Sequence, residues 1–310
     1  MKTRAISLIS GGLDSVISTR LIMDQDIEVI GLHFTSLFQN KRESQKGLMA
    51  KKSAEELGIR LIIKEKGMDY IDLIMSPSHG YGKNMNPCID CRIYMLNKAK
   101  EVMLQEGAEF LITGEVLGQR PMSQRRDAIN LIEKKSGLKG LILRPLSAKL
   151  FPPTVAEQKG LVDRSRLLDI AGRSREIQFA MVEKYKLKEF SLPGGGCLLT
   201  DPIFSKKLKD LKTHQSEITM KDIELLTIGR HFRIDEKTKI ILGRNKKENE
   251  RLSLLKEGFT YVAPFDFSGP SALIKGEIDK STIEIAANLI GHYSKKKDEK
   301  ITVIIDSTEL

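Results

Sequence analysis

The chain has 310 residues, 40% of them hydrophobic, and carries a formal net charge of +10. That length predicts two domains with room for a buried core, and the charge points to a polyanionic partner such as nucleic acid. No apolar run reaches the ~18 residues of a membrane span, and no signal peptide precedes the first strand, so a cytoplasmic protein with no membrane partner is expected. Up to residue 200 the net charge is +8, and beyond it +2, so the basic excess lies with the first part of the chain. The plain alternative for such charge is solvated helix faces.

The first predicted element is a short apolar strand over Ala5–Ile9. It runs into Ser10-Gly11-Gly12-Leu13-Asp14-Ser15, and a helix over Val16–Ile22 follows. Two adjacent glycines between strand and helix let backbone N–H groups converge with no Cβ in the way. The helix N-terminus adds partial positive charge, which suits phosphate oxygens. The string is neither a Walker loop nor GxGxxG.

Strand and helix then alternate. Strands are predicted over 27–34, 59–63 and 109–113, helices over 45–57 and 88–106, and a loop over 76–87. This βαβ rhythm predicts an α/β fold: a parallel sheet covered by helices on both faces. A short strand at 141–143 follows, then basic helices, one opened by Pro152-Pro153, and a flexible loop Leu192–Cys197. A second, smaller α/β domain is predicted from residue 201, with strands at 226–233, 239–242 and 301–305 and helices at 247–255 and 280–293.

The only cysteines are Cys88, Cys91 and Cys197. An odd count in such a chain argues against a disulfide framework. Pro87-Cys88-Ile89-Asp90-Cys91 puts two thiols at i and i+3 of a helix start, where the dipole is expected to favour thiolate. Cys197 sits on a glycine-rich loop able to fold back to them. Three thiolates with one position left open suit a [4Fe–4S] cluster. The same residues also suit a persulfide-carrying pair, or, with a fourth ligand such as His79, zinc. The plain alternative is two buried helix residues and a small loop residue.

Ser10–Ser15 resembles the PP-loop of the ATP pyrophosphatase superfamily. Together with PCIDC and Ile112-Thr113-Gly114-Glu115-Val116-Leu117-Gly118-Gln119, it makes the chain similar to the PP-loop tRNA thiouridine synthetases, the tRNA sulfurtransferases. The resemblance spans residues 1–200 and implies a PP-loop (adenine nucleotide alpha hydrolase-like) domain there. It implies an enzyme that adenylates a uridine carbonyl oxygen and replaces it with sulfur, releasing AMP and pyrophosphate. Ser10, Gly11, Gly12, Asp14, Ser15, Phe34, Gly114 and Gln119 are implied to bind ATP, with Mg2+ beside it. Cys88, Cys91 and Cys197 are implied to hold the cluster, and these cysteines and Asp14 to carry the chemistry. The implied partners are tRNA and a sulfur donor, sulfide or a persulfide carrier, with a homodimer possible. The resemblance extends neither to an N-terminal RNA-binding extension nor to a rhodanese-type domain, so the modified base and the donor stay open.

Residues 201–310 resemble an NFACT-R type RNA-binding module through Gly243-Arg244-Asn245 and Asn249, although Asn245 and Asn249 also fit a helix cap and a polar face. Arg120, Arg125 and Arg126, and a second group of Arg164, Arg166, Arg173 and Arg175, are candidate phosphate contacts or plain surface charge. His33 reads as a satisfied buried histidine, and Lys295–Lys297 as a surface end. The rivals to thiolation are a PP-loop enzyme serving another substrate or nucleophile, and a nucleotide-regulated RNA-binding protein.

Overall fold

The computed structural model describes residues 2–38, 41–192, 197–294 and 301–307, without the side chains of 41–46 and 307. The chain forms two compact units, Met1–Asp201 and Pro202–Leu310.

The first unit is built on five strands: β1 (Arg4–Leu8), β2 (Glu28–Thr35), β3 (Leu61–Glu65), β4 (Phe110–Thr113) and β5 (Ile142–Leu143). Their order is β3-β2-β1-β4-β5, and every pairing is parallel. Alternate side chains serve opposite faces, as a pleated strand requires. Ile6, Ile30 and Leu111 pack with Leu96, Ala99 and Val102 of helix α4 (Cys88–Gln105). On the other face, Ala5, Phe110 and Ile112 pack with Ile22 of α1 (Leu13–Met23). Both faces are therefore dry, which is why the strands read as continuous apolar runs. The direction of strand addition reverses between β1 and β4. In open α/β sheets, ligands bind at the carboxyl ends of the strands flanking that point.

Helices α2 (Lys41–Leu57), α3 (Met68–Met75), α5 (Arg126–Ser136), α6 (Val155–Gln158) and α7 (Glu176–Tyr185) complete the unit. α3 was not foreseen. The helix expected after Pro152-Pro153 is only the four residues of α6, opened by a capping box of Thr154 and Glu157.

The second unit is antiparallel. Its sheet, ordered β10-β8-β9-β7-β6, comprises β6 (Arg230–Arg233), β7 (Lys239–Leu242), β8 (Thr260–Pro264), β9 (Ala272–Lys275) and β10 (Val303–Ser307). Helices α8 (Pro202–His214), α9 (Met220–Leu226), α10 (Lys246–Leu254) and α11 (Lys280–His292) accompany it. Ala286 and Ile290 of α11 cover one face through Ile240, Leu242 and Ile274. Leu225 of α9 and Leu252 of α10 cover the other through Ile241 and Leu273. The strand expected to begin at Leu226 begins at Arg230, because the Thr219–Asp222 capping box starts a helix that runs through Leu226.

Candidate nucleotide and cysteine site

Gly11 and Gly12 turn the chain from β1 into α1, and they do different work. Gly11 has φ +70°, and a Cβ there would lie 2.5 Å from the Ala50 backbone nitrogen, so only glycine fits. Gly12 is extended (φ −87°), and a Cβ on it would meet nothing closer than Ser10 Oγ at 3.3 Å. The turn is stitched locally. Ser15 Oγ donates to the Gly12 carbonyl at 2.8 Å, and the Ser10 amide donates to Ser15 Oγ at 3.2 Å. A distant segment clasps it from outside: the Ser191 amide donates to the Gly11 carbonyl at 2.7 Å, and the Leu13 amide to the Ser191 carbonyl at 3.3 Å. Among the described residues no acceptor takes the Gly11 or Asp14 amide. These donors stand at a helix N-terminus, an arrangement that binds anions.

The loop after β4 supports this turn. A Cβ on Gly114 would lie 2.6 Å from the Ser15 nitrogen, so Gly114 lets β4 and the start of α1 meet. Asp14 Oδ2 accepts from Gln119 Nε2 at 2.7 Å, and Oδ1 from Gln178 Nε2 at 3.3 Å. Gln178 lies on α7, and no sequence motif marks it. Phe34 stands near the carboxyl end of β2 and packs against the core on the α4 side. His33 is buried, and its Nδ1 bonds the Ile9 carbonyl at 2.9 Å. Burial pushes its pKa down, and its Nε2 is left without a partner, so the expected satisfied histidine is satisfied at one nitrogen only.

Glu115 is committed to structure. Its Oε1 accepts from Arg92 Nε at 3.0 Å, its Oε2 from Arg144 Nε at 3.0 Å and from Thr113 Oγ1 at 3.2 Å. Arg144 also pairs with Glu133. Burial works against the charged carboxylate, but Arg92 and Arg144 outweigh it and hold its pKa at about 2. Arg92 is one residue past Cys91, so this buried network ties the cysteine turn to the end of β4. Glu115→Gln leaves two guanidiniums short of a counter-charge, and a loss of about 3–5 kcal/mol in unfolding free energy is expected. The depressed pKa sets the sign of the pH dependence. The carboxylate's stabilisation is complete above about 4.3, the ordinary value, and is lost as pH falls toward 2. Denaturant melts of both proteins at neutral and acidic pH measure this, and the difference between them should shrink below pH 4.

The three cysteines are free thiols, each partly buried. Cys88 and Cys91 open α4, and the Cys91 amide closes the first turn onto the Pro87 carbonyl at 2.8 Å. Tyr70 of α3 reaches one of them. Its hydroxyl donates to Cys91 Sγ at 3.1 Å, and burial together with the nearby Cys91, Cys197 and Cys88 keeps the phenol protonated far above its usual range. Lys66 lies 3.4 Å from Cys91 Sγ and 4.3 Å from the Tyr70 ring centroid. Cys197 Sγ points to the Phe38 carbonyl at 3.6 Å. The expected lowering of the thiol pKa fails at Cys88. Burial, reinforced by Cys91, raises it despite Arg120 and Arg92. His79 Nδ1 is 2.8 Å from Asp90 Oδ1, a bond that orients the ring and does not engage Nε2. Among the described residues no group of three or more His, Cys, Asp or Glu side chains stands at metal-holding spacing. Pro193–Gly196 of the glycine loop lie outside the described residues.

Arg120 links the two halves of the site. Burial and Arg92 lower its pKa, while Asp14, Glu115 and Cys88 raise it, so its guanidinium senses the loop and the cysteine turn at once. Arg126 is taken by the Leu150 carbonyl and Arg125 by Asp127. In the second basic group, Arg164 binds the Phe151 carbonyl and Glu157, and Arg166 the Asp24 carbonyl, so both hold loops together. In the second unit, Asn245 caps α10 by accepting from the Glu248 amide at 3.1 Å. Asn249 Nδ2 donates to the Gly269 carbonyl at 3.1 Å, and its Oδ1 accepts from the Ser271 amide at 3.1 Å. The asparagines of the Gly243–Asn249 motif thus build the module. Lys246 and Lys247 beside them are exposed.

The first unit is thus a doubly covered parallel sheet with a glycine turn at its switch point, the place where open α/β sheets bind ligands. Residues 1–149 match the family described as thiamine biosynthesis protein (ThiI), and residues 229–309 match the NFACT protein RNA binding domain, in line with both sequence resemblances. Among curated relatives, the tRNA-specific 2-thiouridylase MnmA of Pelotomaculum thermopropionicum is 27% identical over 60% of this chain and 57% of its own length. A probable tRNA sulfurtransferase of Methanothermobacter thermautotrophicus is 27% identical over 54% of this chain and 42% of its own. The chain therefore spans about half the length of these relatives. Among solved structures, the U34-tRNA thiolase NcsA of Methanococcus maripaludis, with its [4Fe-4S] cluster, aligns at a TM-score of 0.35 and 16% identity, over 73% of this chain and 70% of that one. No described helix is long and apolar enough to cross a membrane.

Proposed function

We propose that this chain is an ATP-dependent tRNA sulfurtransferase that adenylates a uridine carbonyl oxygen and replaces it with sulfur. The observation that carries the reading is the loop after β4, which joins the glycine turn and the cysteine turn: its Gln119 binds Asp14, and its Glu115 binds Arg92 beside Cys91. Activation and sulfur delivery need one face, and this one offers anion-binding amides beside soft ligands. The names of the curated relatives support the same chemistry.

In this reading the amides of Gly11 and Asp14 receive the ATP phosphates, and Arg120 offsets negative charge on the side of the cysteines. The uridine oxygen attacks the α phosphorus, the bond to the β phosphate breaks, and pyrophosphate leaves with Mg2+ offsetting its charge. The sulfur nucleophile then displaces AMP. Three free thiols around one phenol are a fitting donor set for an iron–sulfur cluster, and Cys88, Cys91 and Cys197 would close on it as it binds. Such a cluster would supply an iron with a position open to sulfide. One observation favours a second reading of the same thiols. Cys91 Sγ receives two donors, Lys66 and Tyr70, which suits a sulfur that accepts the outer sulfur of a persulfide donor.

The experiment is an anaerobic reaction of the protein with ATP, Mg2+, sulfide and tRNA, with nucleotides and digested nucleosides analysed by mass. AMP, pyrophosphate and one thiolated uridine are expected in equal amounts; ADP and phosphate would reject the reading. The tRNA affinity should also fall by at least about tenfold between about 50 and 200 mM salt, as counterion release requires. A chain ending at Asp201 should lose much of that affinity while still binding ATP. Salt-independent binding would point instead to a small-molecule substrate.

A further inference from the structure

Asp14 is the one acidic residue of the glycine turn, and it is held in an unusual way. It stands in the first turn of α1, where the helix dipole favours an anion. Each carboxylate oxygen is bound by a different neutral amide, Oδ2 by Gln119 at 2.7 Å and Oδ1 by Gln178 at 3.3 Å. Gln119 comes from the loop after β4 and Gln178 from α7, 164 residues beyond Asp14. Gln178 is fully buried, and Gln119 is 8% exposed. The carbonyl oxygen of each glutamine is buried with no partner at all. A buried carbonyl left unpaired costs stability, and such groups collect at functional sites.

Two neutral amides from distant parts of the chain thus hold the carboxylate in place without neutralising it.

We propose that Gln178, together with Gln119, is a positioning residue that fixes the Asp14 carboxylate in the turn. This rests on the sulfurtransferase reading, in which Asp14 faces the reacting groups. Gln178 touches no substrate and acts only through Asp14.

Gln178→Leu keeps the volume and removes the donor. In the AMP-forming assay with tRNA, its kcat should fall about 10- to 100-fold, the scale of a misplaced reacting group, with the KM for ATP within about twofold of wild type. In the Asp14→Asn background the same substitution should change nothing further, because its effect runs through that carboxylate. The thermal midpoints of all four proteins set apart a folding defect. Should Gln178→Leu fail to fold, Gln178→Met, unbranched and of similar length, makes the same comparison. A wild-type kcat in either variant, or losses that multiply in the double variant, overturns the positioning role while the function reading stands. Absence of AMP from wild-type protein with tRNA overturns both, and is recognised by that.

Discussion

Gly12→Val is expected to abolish ATP binding in a protein that melts like wild type. The structure gives Gly12 an ordinary extended backbone, and a Cβ there meets only Ser10 Oγ at 3.3 Å and Ser191 Oγ at 3.9 Å. Folding does not need this glycine. The phosphates do, because the valine methyls would stand over the amides of Gly11 and Asp14. Two charge-assisted hydrogen bonds lost at about 1.5–3 kcal/mol each correspond to at least about a hundredfold in affinity. Gly11→Ala is the instructive contrast. There the backbone is left-handed, and the new methyl would press on Ala50 at 2.5 Å. That variant should lose ATP binding and also about 1–3 kcal/mol of stability. Calorimetry of nucleotide binding and thermal melts of both proteins separate the two roles. Unchanged ATP affinity in folded Gly12→Val protein would remove the turn from the nucleotide site.

How much of this was legible in the sequence follows from how local each feature is. The glycine turn and the paired cysteines are contiguous strings, and the strands before them are uninterrupted apolar runs because the sheet is covered on both sides. The features that were missed are made by residues far apart. Gln178 reaches Asp14 across 164 positions, and the only trace of it is a polar residue on the same face of α7 as the buried Met181. Tyr70 and Lys66 lie in a stretch with no motif, yet both reach Cys91 Sγ. β8 and β9 are short strands that pair with each other and, farther along the chain, with β10 and β7, and the Thr219 capping box keeps Leu225 and Leu226 helical. Cys88 shows the limit of a rule applied alone. The helix start predicts a lowered thiol pKa, but burial has the larger effect and raises it.

The cysteine substitutions carry the other large effect. If Cys88, Cys91 and Cys197 hold one cluster, each single serine variant should lose most of its iron and nearly all thiolation, because none of the three sulfurs has a substitute nearby. Among the described residues no group of three or more His, Cys, Asp or Glu side chains stands at metal-holding spacing, so this reading needs the thiols to close on the iron as it binds. If the thiols instead work by persulfide, Cys91, which receives Lys66 and Tyr70, would take an outer sulfur from a persulfide donor, and that sulfur would displace AMP. Cys197 would then attack Cys91 Sγ, releasing the thiouridine and leaving a Cys91–Cys197 disulfide that an added thiol reductant returns to two thiols, with no iron needed. Iron content, absorption near 400 nm and thiolation, measured on anaerobically reconstituted wild-type and Cys197→Ser protein, separate the two. Loss of both iron and thiolation in Cys197→Ser supports three equal ligands. Full iron with no thiolation makes Cys197 a reactive thiol and leaves the cluster, if any, to other ligands. Thiolation by iron-free wild-type protein supplied with a persulfide donor and a thiol reductant in place of sulfide would leave the persulfide on Cys91 as the sulfur source, and Tyr70→Phe should then slow it by weakening the hold on that sulfur.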